Sequence, residues 1–141
     1  MSDDPSASIP SDPGDRKRGP YVSNEDRAPA VEPEDLERFF VERVNAGDVE
    51  GLVALYELDA VLAFRTGIVA TGKEAVRRVF NDFVASGVKL TLGDQQPTLR
   101  AGDLALTSTR LDDGAVTAEI ARRQPDGTWR WVIDQWSVLG E

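Results

Sequence analysis

The chain has 141 residues and a mass of 15.4 kDa, room for one domain with a real core and too little for two. A formal net charge of −9 and a pI near 4.5 argue against nucleic-acid and anionic-membrane partners, because both need clustered positive charge. Cysteine and histidine are both absent, which excludes disulfides and thiolate sites and leaves carboxylates, Lys, Arg, Tyr and hydroxyls for chemistry.

The first 33 residues hold Pro5, Pro10, Pro13, Pro20, Pro29 and Pro33 and few large apolar side chains. Such a segment cannot bury enough surface to offset its ordering entropy, so a disordered tail is expected over 1–31 and a folded domain over 32–141. Arg16-Lys17-Arg18 within the tail is read as a solvated charge run rather than a docking patch. Acids stand at the N-terminus where a signal peptide needs basic and then apolar residues, and no apolar run approaches spanning length. Cytoplasmic residence is the expectation.

A first helix is predicted from Pro33, with Leu36, Phe39, Phe40 and Val44 on one face and Gly47 as a left-handed stop. Asp48 is placed to cap a second helix whose stripe is Val49, Leu52, Val53 and Tyr56. Val61 to Phe64 reads as a strand and Thr66-Gly67 as a turn. Thr71-Gly72-Lys73-Glu74 fits a capping box ahead of a third helix carrying Val76, Val79, Phe80 and Phe83, with Gly87 at its end. Period-two segments follow at Val88–Leu92, Thr98–Arg100, Leu104–Leu111, Ala115–Gln124 and Trp129–Leu139. Asp113-Gly114 and Asp126-Gly127 are hairpin turn signals. The fold class is therefore α+β, three N-terminal helices segregated from an antiparallel sheet. No Gly-rich phosphate loop or dinucleotide fingerprint occurs, so no nucleotide cofactor is expected. Asp112-Asp113 reads as turn chemistry and no metal site is expected.

The stretch Phe39 to Tyr56, hinged at Asn45-Ala46-Gly47-Asp48 and followed by Asp59-Ala60-Val61 and Thr71-Gly72-Lys73-Glu74-Ala75-Val76, resembles the nuclear transport factor 2-like superfamily, which includes ketosteroid isomerases and SnoaL-like polyketide cyclases. The resemblance spans about residues 33 to 141. It implies a cone-shaped, cystatin-like fold in which a curved sheet wraps the helices around an apolar pocket. It also implies a back-to-back homodimer through the outer sheet face. Carried over residue by residue, the isomerase tyrosine falls at Phe40 and its catalytic base at Phe64, which leaves no hydroxyl and no base at those positions. The protonated acid falls near Glu119, or at Ala121 if the register slips.

With Asp126-Gly127 as two central turn residues, Glu119 lies opposite Asp134, Ala121 opposite Val132 and Thr117 opposite Trp136. Directly opposed side chains stand about 4.5–5.5 Å apart at Cβ, so one pKa of the pair should rise and a proton can be shared. The same count from Asp113-Gly114 puts Ser108 opposite Glu119 and Arg110 opposite Thr117. The candidate catalytic pair is Asp134 as base and Glu119 as acid, with Ser108 or Arg110 as electrophilic donor. The candidate pocket is lined by Phe40, Tyr56, Phe64, Ser108, Arg110, Thr117 and Trp136. The other face carries Val116, Ala118, Ile120, Trp129, Trp131 and Ile133, so two readings stand. Either the polar face lines the pocket, or it is solvated and the apolar face makes the main core.

These features predict a small-molecule-binding domain of isomerase, cyclase or hydratase type acting on an apolar ligand. The alternative is a non-catalytic dimeric binding or partner-docking module.

Overall fold

The computed structural model describes residues 27–65 and 67–138. Helices α1 (Asp35–Asn45), α2 (Val49–Val53) and α3 (Lys73–Ala85) accompany strands β1 (Tyr56–Arg65), β2 (Ile68–Thr71), β3 (Asp94–Gln95), β4 (Leu99–Ala101), β5 (Leu104–Thr107), β6 (Thr109–Arg110), β7 (Ala118–Arg123) and β8 (Trp129–Gln135). The main sheet runs β2-β1-β8-β7-β5-β4, and β3 pairs with β6 separately. The α+β class is as expected. One pair departs from an all-antiparallel sheet, because β1 runs parallel to β8.

α1 starts later than Pro33, since Asp35 Oδ2 accepts the N–H groups of Val31 and Glu32 and closes the turn before the helix. Leu36, Phe40 and Val44 face inward, and Gly47 at φ +70° ends the helix. Asp48 caps α2 by accepting Gly51 N–H at 3.1 Å. α2 is short, so Tyr56 leaves the helical stripe and opens β1 instead. The capping box does not form. Gly72 N–H bonds Ala60 O at 2.9 Å, which holds Thr71 in β2 and leaves Gly72, at φ +91°, as the cap residue.

The expected strand over Val88–Leu92 is absent, and the hinge explains why. Asn45 behaves as a substitute strand: its Oδ1 accepts Leu90 N–H at 2.7 Å and its Nδ2 donates to Leu90 O at 2.9 Å. Both backbone groups of Leu90 are thus satisfied by one side chain.

Both hairpin loops contain three residues rather than two. Leu111 N–H bonds Ala115 O, Gln124 N–H bonds Thr128 O, and Gly114 and Gly127 take the left-handed position at φ +92° and +87°. In the first hairpin the extra residue shifts the register by one, so Thr107 rather than Ser108 faces Glu119. In the second, a bulge at Val132 cancels the shift: Ala121 pairs with Trp131, yet Ile120 pairs with Ile133 and Glu119 with Asp134. The bulge also turns Trp129 and Trp131 inward, onto the same buried side as Asp134.

The segment expected as a tail contributes contacts from residue 27 onward. Arg27 grips Asp48 through two bonds of 2.9 and 2.7 Å, and Ala30 O accepts Trp129 N–H. Arg16-Lys17-Arg18 lie outside the described residues. The core joins Leu36, Phe40 and Val44 of α1, Val76, Phe80 and Phe83 of α3, and Leu62, Trp129 and Trp131 of the sheet.

Replacing Asn45 by Ala leaves the Leu90 N–H and C=O without that partner. Asn45→Ala is expected to lower unfolding free energy by about 2 kcal/mol in a denaturant titration, beyond the loss from an exposed-surface alanine control.

Candidate functional site: a buried carboxylate cluster

A cavity of about 240 Å³ opens between α1, the inner face of β7 and β8, and the segment carrying Leu90. Its apolar wall includes Phe40, Val41, Leu90, Leu111, Trp131 and Trp136; its buried acids are Glu37, Glu119 and Asp134, and Asp112 and Asp113 are exposed at its edge. Asp134 and Glu119 are directly opposed and only 7% and 3% exposed. Of the two readings of the polar face, the buried one is what the chain adopts. Tyr56 Oη donates to Asp134 Oδ2 at 2.5 Å. Trp131 Nε1 approaches Thr107 Oγ1 at 3.4 Å, and Thr107 Oγ1 donates to Glu119 Oε1 at 2.6 Å. A relay of donors therefore reaches the Glu119 carboxyl from behind.

Burial dominates the electrostatics. It raises Asp134 to about 6, against the opposing pull of the Tyr56 hydroxyl. Burial and then the charge of Asp134 push Glu119 well above the ordinary carboxylate range, despite the Thr107 and Thr117 hydroxyls. Glu37, from the first turn of α1, rises to about 8 for the same two reasons. Tyr56 is also pushed up, by burial and by Asp134, and so stays a donor. At neutral pH Asp134 thus carries charge and Glu37 holds a proton, while Glu119 is shifted toward its protonated form. Among the described residues no group of three or more acids is arranged to hold a metal ion.

The family described as the SnoaL-like domain matches residues 36–139. The chain belongs to the SnoaL-like domain family. No curated protein matches the chain. Among solved structures, a Thiobacillus denitrificans domain named for the calcium/calmodulin-dependent protein kinase type II association domain is 17% identical, with 77% of this chain and 96% of that one covered and a TM-score of 0.65. A Streptomyces avermitilis protein named as a dehydratase of the nuclear transport factor 2-like family is 20% identical over 72% of this chain and 89% of its own, with a TM-score of 0.61. A ketosteroid isomerase-like protein from Erwinia carotovora atroseptica is 17% identical over 72% and 89%, with a TM-score of 0.54. At these identities the likeness is one of fold.

Within this SnoaL-like domain, Phe40, Thr117, Glu119, Asp134 and Trp136 line the cavity. Tyr56 stands behind the wall and acts through Asp134. Phe64 lies elsewhere, stacked edge-on against Phe83 and Trp136, because the inward row of β1 carries it past the cavity. Ser108 and Arg110 are not pocket residues: the one-residue slip turns Arg110 to solvent and leaves Ser108 Oγ bonded to Thr117 O at 2.7 Å. Trp129 and Trp131, expected on the outer face, are buried by the bulge. Asp113 accepts Ala115 N–H and Asp112 accepts from Thr91, so these acids serve the turn and its rim. Sequence reasoning missed Glu37, although it shares a helical face with Phe40, Val41 and Val44. A lone acid on an apolar stripe was the available signal.

Glu37 keeps its proton to about pH 8 in the folded state, whereas the unfolded chain releases it near pH 4.5. The folded form therefore binds more protons between those values, and stability falls as pH rises through them. Glu37→Gln is expected to gain on the wild type by about 1.4 kcal/mol per pH unit in that window, on the order of 4–5 kcal/mol in all, in denaturant titrations at stepped pH.

Proposed function

We propose that this SnoaL-like domain binds an apolar small molecule in the cavity and moves a proton on it, with Asp134 as general base and Glu119 as general acid. The observation that carries this reading is the opposed Glu119–Asp134 pair, whose environments favour opposite protonation states at one pH. Tyr56 O–H stabilises the ionised form of Asp134 and orients it; the Trp131–Thr107 relay orients Glu119. Isomerisation, aldol cyclisation and loss of water from a β-hydroxy carbonyl compound share one first step, removal of a proton beside a carbonyl. An apolar cavity with one base and one neutral acid suits that step. Phe40 has no hydroxyl and Phe64 has no carboxylate, so the ketosteroid isomerase arrangement of groups does not apply. The composition supports the cytoplasm as the place of work.

Deuterium exchange at the α-carbon of 2-tetralone, followed by NMR, tests the step without the natural substrate. Asp134→Asn should abolish protein-catalysed exchange, and Glu119→Gln should slow it about 10²-fold. The rate should rise through an acid limb near pH 6. Tyr56→Phe removes a bond to the charged form and should move that limb to higher pH. Exchange indifferent to both acid substitutions would remove the proposal.

A different observation bears on the dimeric part of the alternative reading. Leu99, Leu106, Ile120 and Ile133 are directly paired neighbours across β4, β5, β7 and β8 and form one apolar row on the outer face. Leu99 and Ile133 are 64% and 49% exposed. We assign this row to a second copy of the chain, packed back to back, which serves either function. Light scattering should find a dimer for the wild type and a monomer for Leu106→Glu, with the cavity unaffected because this face points away from it. A monomeric wild type at high concentration would refute the assignment.

A further inference from the structure

Every titratable side chain that reaches the inner part of the cavity is an acid: Glu37 from α1, Glu119 from β7 and Asp134 from β8. Two of the three are supplied with donors, Asp134 by Tyr56 and Glu119 by Thr107. Glu37 is not. It is 8% exposed, lines the cavity, and accepts no hydrogen bond among the described residues. A buried carboxyl left without a protein partner is costly, and in its ionised form the partner it needs is a donor.

The remaining charges do not fill that role. Lys89 stands exposed at the rim with its Nζ on Asn45 O at 3.0 Å, Asp112 and Asp113 are rim acids, and Arg110 lies on the solvent side. Beside the acids, on α1 and on or just after β8, the cavity wall also carries the aromatic rings Phe40, Trp131 and Trp136. Ring faces attract a cation, and they do so more strongly when it is desolvated. The net charge of −9 concentrates cations around the protein and repels anions.

The geometry points to a ligand that carries a protonated amine on an apolar body, with Glu37 as the carboxylate that receives the ammonium group. This rests on the cavity being the ligand site and names the class of molecule that enters it. The ammonium supplies the missing donor, the aromatic wall takes the body of the ligand, and Asp134 keeps its bond to Tyr56. Because burial and Asp134 keep a proton on Glu37 at neutral pH, pairing it with an ammonium drives that proton out. Binding is then coupled to proton release.

Three probes of matched size separate the possibilities: N,N-dimethyl-2-phenylethylamine, its uncharged carbon counterpart (3-methylbutyl)benzene, and 3-phenylpropanoate. Affinities follow from tryptophan fluorescence, and calorimetry in buffers of different ionisation enthalpy counts protons released. The amine should bind about tenfold or more tighter than the hydrocarbon, the anion should not bind, and amine binding at pH 7 should release a proton. Glu37→Gln should erase the preference for the amine and the proton release while leaving hydrocarbon binding unchanged, which also shows that the variant keeps its cavity. Equal binding of amine and hydrocarbon, or an amine preference that survives Glu37→Gln, overturns this inference and leaves the cavity as an apolar site. Failure of all three probes to bind overturns the inference and the ligand-site reading together.

Discussion

One hydrogen bond organises the site: Tyr56 Oη to Asp134 Oδ2, buried and 2.5 Å long. It joins the first residue of β1 to the far end of β8, and these two adjacent strands are the parallel pair of the main sheet. Asp134 keeps a usable charge at neutral pH because that donor opposes the effect of burial. The charge of Asp134 in turn helps keep Glu119 and Glu37 protonated. Removing the phenol would disturb the charge state of the whole cluster rather than one residue.

The cluster also opposes stability. Burying three carboxyl groups without a cation among them sets folding against ionisation, and the conflict grows as pH rises. The dense aromatic core beside it, where Tyr56 and Trp131 lie with ring centroids 5.3 Å apart and Phe40 and Phe80 5.8 Å apart, offsets that penalty. Places where a sequence breaks its own local pattern are often functional, and Glu37 on the apolar stripe of α1 is such a place.

The helix order, the hinge at Asn45 to Asp48 and the antiparallel meander were legible because each rests on local chemistry: apolar spacing, a cap residue, glycines where a positive φ is needed. The hairpin register was legible only in part. An Asp-Gly pair signals a two-residue turn, yet each glycine here closes a three-residue loop. The resulting slip put Thr107 and Thr109 inward in place of Ser108 and Arg110. Glu119 and Asp134 still meet because the bulge at Val132 compensates on their hairpin alone. The Glu119–Asp134 pairing thus results from two one-residue shifts that cancel.

By itself the sequence determined the α+β class, the resemblance carried by the hinge, and the chemistry available: no thiol and no imidazole, which leaves carboxylates, Lys, Arg, Tyr and hydroxyls. These follow from composition and short-range periodicity, which act over a few residues. Only the tertiary structure decided that the polar face is buried, that Glu37 joins the acids from another element, that Tyr56 donates to Asp134, and that Asn45 pins Leu90 at the cavity wall. Each depends on groups far apart in the chain, or on a bulge that reverses the facing of every residue beyond it. Periodicity cannot carry that information, because one added residue in a strand changes the face without changing the local pattern.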